Sequence, residues 1–183
     1  MKAEDNHIMN ILYSPIMYIH SDLLSELPSS MGILNDVILN HWIINKYHLE
    51  HLPDTWQPDD VVSKLIFTHW EMIPKITEFI GGYLLRERLL IEKTSLISDS
   101  KLLAFISLPL RHTVVVGQQN NNINHSAWGT AFIIKMTRNL PTALQQRLRL
   151  CFSPNIRLPN IYMTKTPDHI NLLRMAINYA HDF

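Results

Sequence analysis

Residues 65–92, LIFTHWEMIPKITEFIGGYLLRERLLIE, decide how the chain is read. They predict one helix, a break at Pro74, and a second helix. Proline fixes its own φ and lacks an N–H, so it suits a first helical turn and not a helix interior. From Ile73 onward, Ile76, Ile80, Tyr83, Leu84 and Ile91 return on one face with a 3.6-residue period. Glu71, Lys75, Glu78, Gly82, Arg86 and Lys93 fall on the opposite face. This is the pattern of an amphipathic helix with a core side and a wet side.

The same signals continue in both directions. Ser14-Pro15 reads as N-cap and first helical residue, followed by a short helix through Ile16, Met17 and Ile19. A turn at 27–30 leads to a long helix from about Gly32 to Tyr47, with Ile33, Leu34, Val37, Ile38 and Ile44 on its apolar face. Leu52-Pro53-Asp54 ends it. Pro58-Asp59-Asp60 opens the next helix, its acids favoured by the positive end of the helix dipole, and that helix reaches Met72. After Glu92, Ser98 caps a helix carrying Leu102, Leu103, Phe105 and Ile106, which Pro109 stops. Residues 113–116 are β-branched and leave room for one short strand pair. The amide-rich 118–124 reads as an exposed loop. Ser126 caps a helix with Phe132, Ile133 and Met136, and Pro141 starts another with Leu144 and Leu148. Residues 153–159 read as irregular. Thr166-Pro167-Asp168 is a hydroxyl cap, a proline and an acid at the head of a last helix, with Ile170, Leu173 and Ile177 inward. No alternation of strands and helices suggests a parallel sheet. The expected class is mainly α.

At 183 residues the chain can close one real core and is short for two domains, so a single helix-rich globular domain over 1–183 is expected. The one cysteine, Cys151, allows neither an internal disulfide nor a CxxC zinc site and fits a reducing compartment. No apolar run approaches the roughly 20 residues that span a bilayer. The opening MKAEDNHIMN has no signal-peptide apolar region. A cytosolic protein without membrane insertion is the expectation.

The net charge of zero hides a split. Residues 1–100 hold 7 Lys and Arg against 14 Asp and Glu; residues 101–183 hold 9 against 2. An acidic half and a basic half can steer two partners to two ends of a molecule; the alternative is that they attract each other within one domain. The cations of the basic half are scattered, and no nucleic-acid-binding motif appears, so nucleic acid is not an expected partner. Trp56 and Trp128 lie near expected helix starts, outside the clearest apolar stripes, where aromatics serve either interfaces or domain-edge packing. With Arg138, Arg147, Arg149 and Arg157 they are the candidate partner-contact residues.

No catalytic signature is present. NHW at 40–42 echoes THW at 68–70, which places His41 and His69 in the middle of apolar stripes. With His48, Glu50 and His51 they offer metal ligands on paper, but no HExxH occurs, and a histidine on an apolar face more often donates to a carbonyl. Glu87 falls within the apolar stripe of the 74–92 helix; either it is a buried carboxylate with a raised pKa, or the helix end projects beyond the core, or it pairs with an arginine. Cys151 has no nucleophile signature around it. Gly81-Gly82 is not a phosphate loop; its use is to let another helix come close. No cofactor is expected.

Several segments together resemble a known family. ILYSPIMYIH at 11–20, LNHWIINKY at 39–47, His69-Trp70 through Pro74, Phe79-Ile80-Gly81, Leu85-Arg86, and LLRMA at 172–176 on to Tyr179-Ala180 resemble the type III secretion sorting-platform adaptors called SctK, OrgA or MxiK. The resemblance covers most of 11–92 and the last dozen residues, and it fades over 111–140. It implies a helix-rich, non-enzymatic cytoplasmic adaptor with no catalytic residues. That adaptor would link the cytoplasmic domain of the inner-membrane ring protein (SctD-like) to the pod protein (SctQ-like), at the cytoplasmic face of the inner membrane. An unrelated helical interaction module, a chaperone or regulator, is the alternative. A small enzyme is the third reading, and it needs His41, His69 and Glu87 to converge.

Overall fold

The computed structural model describes residues 2–25, 35–53, 55–91, 99–114 and 124–181. The expected turn at 27–30, the helix start at 32–34, Asp54, Ser98, the strand residues 115–116 and the loop at 118–123 lie outside the described residues. The fold is mainly α: α1 (Lys2–Tyr13), α2 (Ser21–Leu24), α3 (Asp36–Lys46), α4 (Val61–Thr68), α5 (Ile73–Leu84), α6 (Arg86–Ile91), α7 (Ser100–Ile106), α8 (His125–Met136), α9 (Thr142–Leu150) and α10 (Pro167–His181). Among the described residues no strand pair forms; Thr113 and Val114 are coil, and Tyr162 alone makes a β-bridge.

The chain divides into two compact units, each assembled from separate stretches: Met1–Glu71 with Arg138–Ile156, and Met72–Thr137 with Arg157–Phe183. Acid and base follow these units. The first holds 6 Lys and Arg against 10 Asp and Glu, the second 10 against 6.

In the first unit, α3 and the turn before α2 close a core of Ile19, Leu23, Ile43, Leu49 and Leu150, with Trp42, Ile44 and Tyr47 packed against it. Asn35 caps α3 by accepting from Val37 N–H at 2.9 Å. The helix ends in a Schellman turn: Leu49 N–H donates to Ile44 O at 3.0 Å and His48 N–H to Asn45 O at 3.2 Å. His48 takes the left-handed conformation that this turn requires, at φ 48°. Asp60 caps α4, accepting from Val62 N–H at 2.9 Å and Ser63 N–H at 3.4 Å. The helix closes at Thr68 and a 3-10 turn covers Trp70–Met72, so it does not run unbroken to Met72. Ser14 and Pro15 do start a helix, but it is a single 3-10 turn and the Ser14 side chain makes no capping bond. α1 was not anticipated; its apolar residues Ile8, Ile11 and Leu12 are too few and too close to an acidic start to mark a face by period alone.

In the second unit, α5 and α8 cross at glycines. A Cβ on Gly81 would lie 1.7 Å from His125 O, and one on Gly129 would lie 1.8 Å from Thr77 O. The backbones therefore touch, as the Gly81-Gly82 pair suggested. α5 begins with Pro74 in its first turn and is buried almost continuously from Ile76 to Leu84. The wet side is accordingly narrower than the periodicity implied: Gly82 packs on Leu102, and only Lys75, Glu78 and Pro74 reach solvent along α5. The 74–92 helix is in fact two, with a turn at Leu85. The break rotates α6, so Ile91 is 79% exposed while Leu85 and Leu89 are buried. Asp99, not Ser98, caps α7, accepting from Lys101 and Leu102 N–H at 3.0 Å each. Phe79, Phe105 and Tyr179 join α5, α7 and α10, with ring centroids 5.2–6.0 Å apart. Each such pair is worth about 0.5–1.5 kcal/mol beyond its buried area.

Candidate functional site

The last turn of α1 leaves carbonyls without helical donors. Asn10 O takes Ser14 N–H at 2.9 Å, and Ile11 O takes the Tyr18 hydroxyl at 2.6 Å. Leu12 would be served by Ile16 N–H, but that group donates instead to the buried Asn40 Oδ1 at 2.9 Å. Arg147 fills the gap. Its Nε and Nη2 donate to Leu12 O at 3.1 and 2.9 Å, and its Nη1 donates to Glu50 O and Ala143 O at 2.8 Å each. The side chain is 1% exposed, and burial draws its pKa down. Arg147 is thus an internal clamp joining α1, α9 and the turn after α3. Its position on α9 carried the signal: it shares a face with Ala143, Leu144 and Leu150.

The other cations separate from it. Arg138 and Arg149 are exposed in the first unit and Arg157 in the second. The Arg138 carbonyl is held by Gln145 Nε2 at 3.0 Å, which fixes the turn while leaving the guanidinium outside. The two tryptophans also differ. Trp56 is half-buried and stacks on Phe67 at 5.2 Å; Phe67 meets Trp70 and Trp70 meets Tyr18, each at 5.8 Å. Trp56 is the outermost ring of that ladder. Trp128, 1% exposed, is packed inside the second unit on α8. The structure therefore leaves Trp56 half-buried and Arg138, Arg149 and Arg157 exposed, and spends Trp128 and Arg147 on the interior.

The histidines are placed differently from their periodicity. His41 is exposed on α3 and bonds Asn45 Nδ2 at 2.9 Å, and Val37 and Ile38 beside it are 71% and 49% exposed. His69, half-buried, ends α4. The fully buried histidine is His169, which the sequence did not single out. Its Nδ1 donates to Thr164 O at 2.7 Å and its Nε2 accepts from Thr113 N–H at 3.1 Å, which specifies the neutral ring. Burial lowers its pKa. Nearby in the same unit, Tyr83 OH donates to Leu108 O or Leu110 O, at 2.9 and 2.6 Å, accepts from Arg86 Nη1, and packs edge-on against His112. Burial, then the Arg86 charge, lowers the His112 pKa.

Glu87 is exposed in the first turn of α6, so it is not a buried carboxylate. Cys151 is buried, its thiol pushed up by burial, away from the reactive thiolate range. Among the described residues, no group of three or more His, Cys, Asp or Glu is placed to hold a metal ion. No helix among them is long and apolar enough to cross a membrane. The arrangement presents surfaces: exposed cations, the Trp56 edge, and apolar side chains left uncovered.

The model of a family described as "Bacterial type III secretion apparatus protein (OrgA_MxiK)" matches residues 8–182. No curated protein and no solved structure matches the chain.

Proposed function

Because the chain belongs to the OrgA/MxiK family of bacterial type III secretion apparatus proteins, we propose that it is the sorting-platform adaptor of that apparatus. In this reading it works without catalysis or cofactor on the cytoplasmic face of the inner membrane. It joins the cytoplasmic domain of an SctD-like ring protein to an SctQ-like pod protein. The observation that carries the reading is the family match across nearly the whole chain. Two features support it. The chain has two compact units of opposite charge balance, which gives each of two partners a surface with a different potential. Among the described residues, moreover, Arg149 stands on α9 and the Trp56 ring rests on Phe67 of α4, so these contacts are held in shape before a partner arrives.

Calorimetry with the purified cytoplasmic domain of the ring protein, and separately with the pod protein, tests this. Both are expected to bind the full chain. Arg157→Glu alters the basic unit and Glu50→Lys the acidic one; each is expected to weaken one component at least tenfold and spare the other. Arg147 is unsuitable for such a swap because it is buried. A folded protein that binds neither component, or charge variants that affect both equally, would remove the adaptor reading.

A further inference from the structure

Residues 157–165, RLPNIYMTK, lead into α10 without helix and with a single β-bridge, at Tyr162, and every second residue from Pro159 to Met163 is buried or half-buried. Leu158, Asn160, Tyr162 and Thr164 are exposed; Pro159, Ile161 and Met163 between them are buried or half-buried. A period of two is the mark of an extended chain with one face down. That inner face is well anchored. Ile161 is 1% exposed, Thr164 O accepts from the buried His169, and Pro159 fixes its own φ.

The outer face carries two large apolar side chains, Leu158 at 44% and Tyr162 at 69% exposure. Four residues apart on one side of an extended chain, they stand roughly 13 Å from each other. Asn160 Nδ2 donates to the Tyr162 hydroxyl at 3.2 Å and orients the ring. Arg157 and Lys165 are exposed at the two ends. The unit that holds this segment carries 10 Lys and Arg against 6 Asp and Glu. The result is an apolar ledge with a cation at each end, in a unit of net positive charge and with no carboxylate in its own sequence.

We infer that residues 157–165 are a docking ledge for an extended acidic segment of a protein partner. Apolar side chains of that segment pack on Leu158 and Tyr162, and its carboxylates meet Arg157 and the net positive charge of the unit. The identity of the partner as a secretion-apparatus component rests on the function proposed above; the ledge itself does not. A nucleic acid fits less well. The ledge carries two cations, whereas strong phosphate binders neutralise about 6–10 phosphates. An extended ligand suits an extended ledge, and the anchored backbone lowers the ordering cost of binding.

The test uses the full chain, a Leu158→Ser/Tyr162→Ser double variant and Arg157→Glu, all checked for unchanged thermal melting. Two probes are titrated by fluorescence anisotropy: a labelled octapeptide DLEVDLEF and its basic counterpart KLKVKLKF. The acidic peptide is expected to bind at least tenfold more tightly than the basic one, and each variant to lose at least tenfold. Calorimetry with the ring-protein domain and the pod protein is run in parallel; the double variant is expected to lose one of them and keep the other. Wild-type binding to neither apparatus protein, with selective acidic-peptide binding retained, would sink the adaptor reading and leave the ledge standing. Equal binding of both peptides, or variants that bind like wild type, would overturn the ledge. So would self-association abolished by the double variant, which would make a second copy of this chain the occupant.

Discussion

Replacing Arg147 probes the packing of the first unit at one point. In Arg147→Met the stem is retained and four donated hydrogen bonds are lost. Ala143 O keeps its helical partner, and Glu50 O belongs to an exposed residue where water can replace the lost donor, so one carbonyl is stranded, Leu12 O. Leu12 O has no substitute, since Ile16 N–H is held by Asn40. A buried carbonyl left without a donor costs about 1–3 kcal/mol, and the part-buried bond to Glu50 O adds about 0.5–1.5 kcal/mol. Against this stands the relief of removing a buried charge whose hydrogen bonds go to carbonyls and to no carboxylate. The net expectation is a destabilisation of about 2 kcal/mol, with Arg147→Lys near half of that because an ammonium can reach one or two of the same carbonyls. Urea unfolding followed by circular dichroism and tryptophan fluorescence measures it, at unchanged m-value. Arg149→Met, two residues on and exposed, is the control and should move stability by less than about 0.5 kcal/mol. An Arg147→Met protein as stable as wild type would show that desolvation outweighs the bonds and would refute the clamp.

Three further outcomes follow from the geometry. Gly129→Ala places a methyl 1.8 Å from a backbone oxygen and should cost more than about 3 kcal/mol or prevent folding, whereas Gly82→Ala meets side chains alone, the end of Leu102 at 2.5 Å and Ile106 at 3.5 Å, and should stay within about 1 kcal/mol; chemical denaturation of both separates them. His169 is held neutral, with its folded pKa lowered below the ordinary 6.5. Its contribution is present above that value and lost as pH falls below it, because the unfolded chain then binds the extra proton. His169→Gln should flatten the fall in stability on the acid side of pH 6.5, measured by urea midpoints across pH, and an unchanged slope would contradict the assigned tautomer. His48→Gly should raise stability by about 1 kcal/mol, because glycine meets the positive φ without strain; a fall in the melting temperature would argue against the Schellman turn.

The sequence by itself determined where most helices start and stop. Thr166-Pro167-Asp168, Pro74 and Pro141 are local signals, because a cap or a missing N–H acts on the residues next to it. It also determined the family, through pieces spread along the chain, and the close helix approach at Gly81-Gly82, since a glycine pair leaves room that no other residue would. The tertiary structure decided which residues are inside. His41 and His169 are both histidines on helices, but only the second is covered, by the segments that bring Thr113 and Thr164 to its ring. Arg147 counts as surface charge until α1 arrives from more than a hundred residues away with carbonyls it cannot satisfy itself. Val37 and Ile38 look like core and stay exposed because no described element covers that side of α3. The physical reason is range: caps and periods are set within a few residues, whereas burial depends on what long-range packing places opposite each side chain.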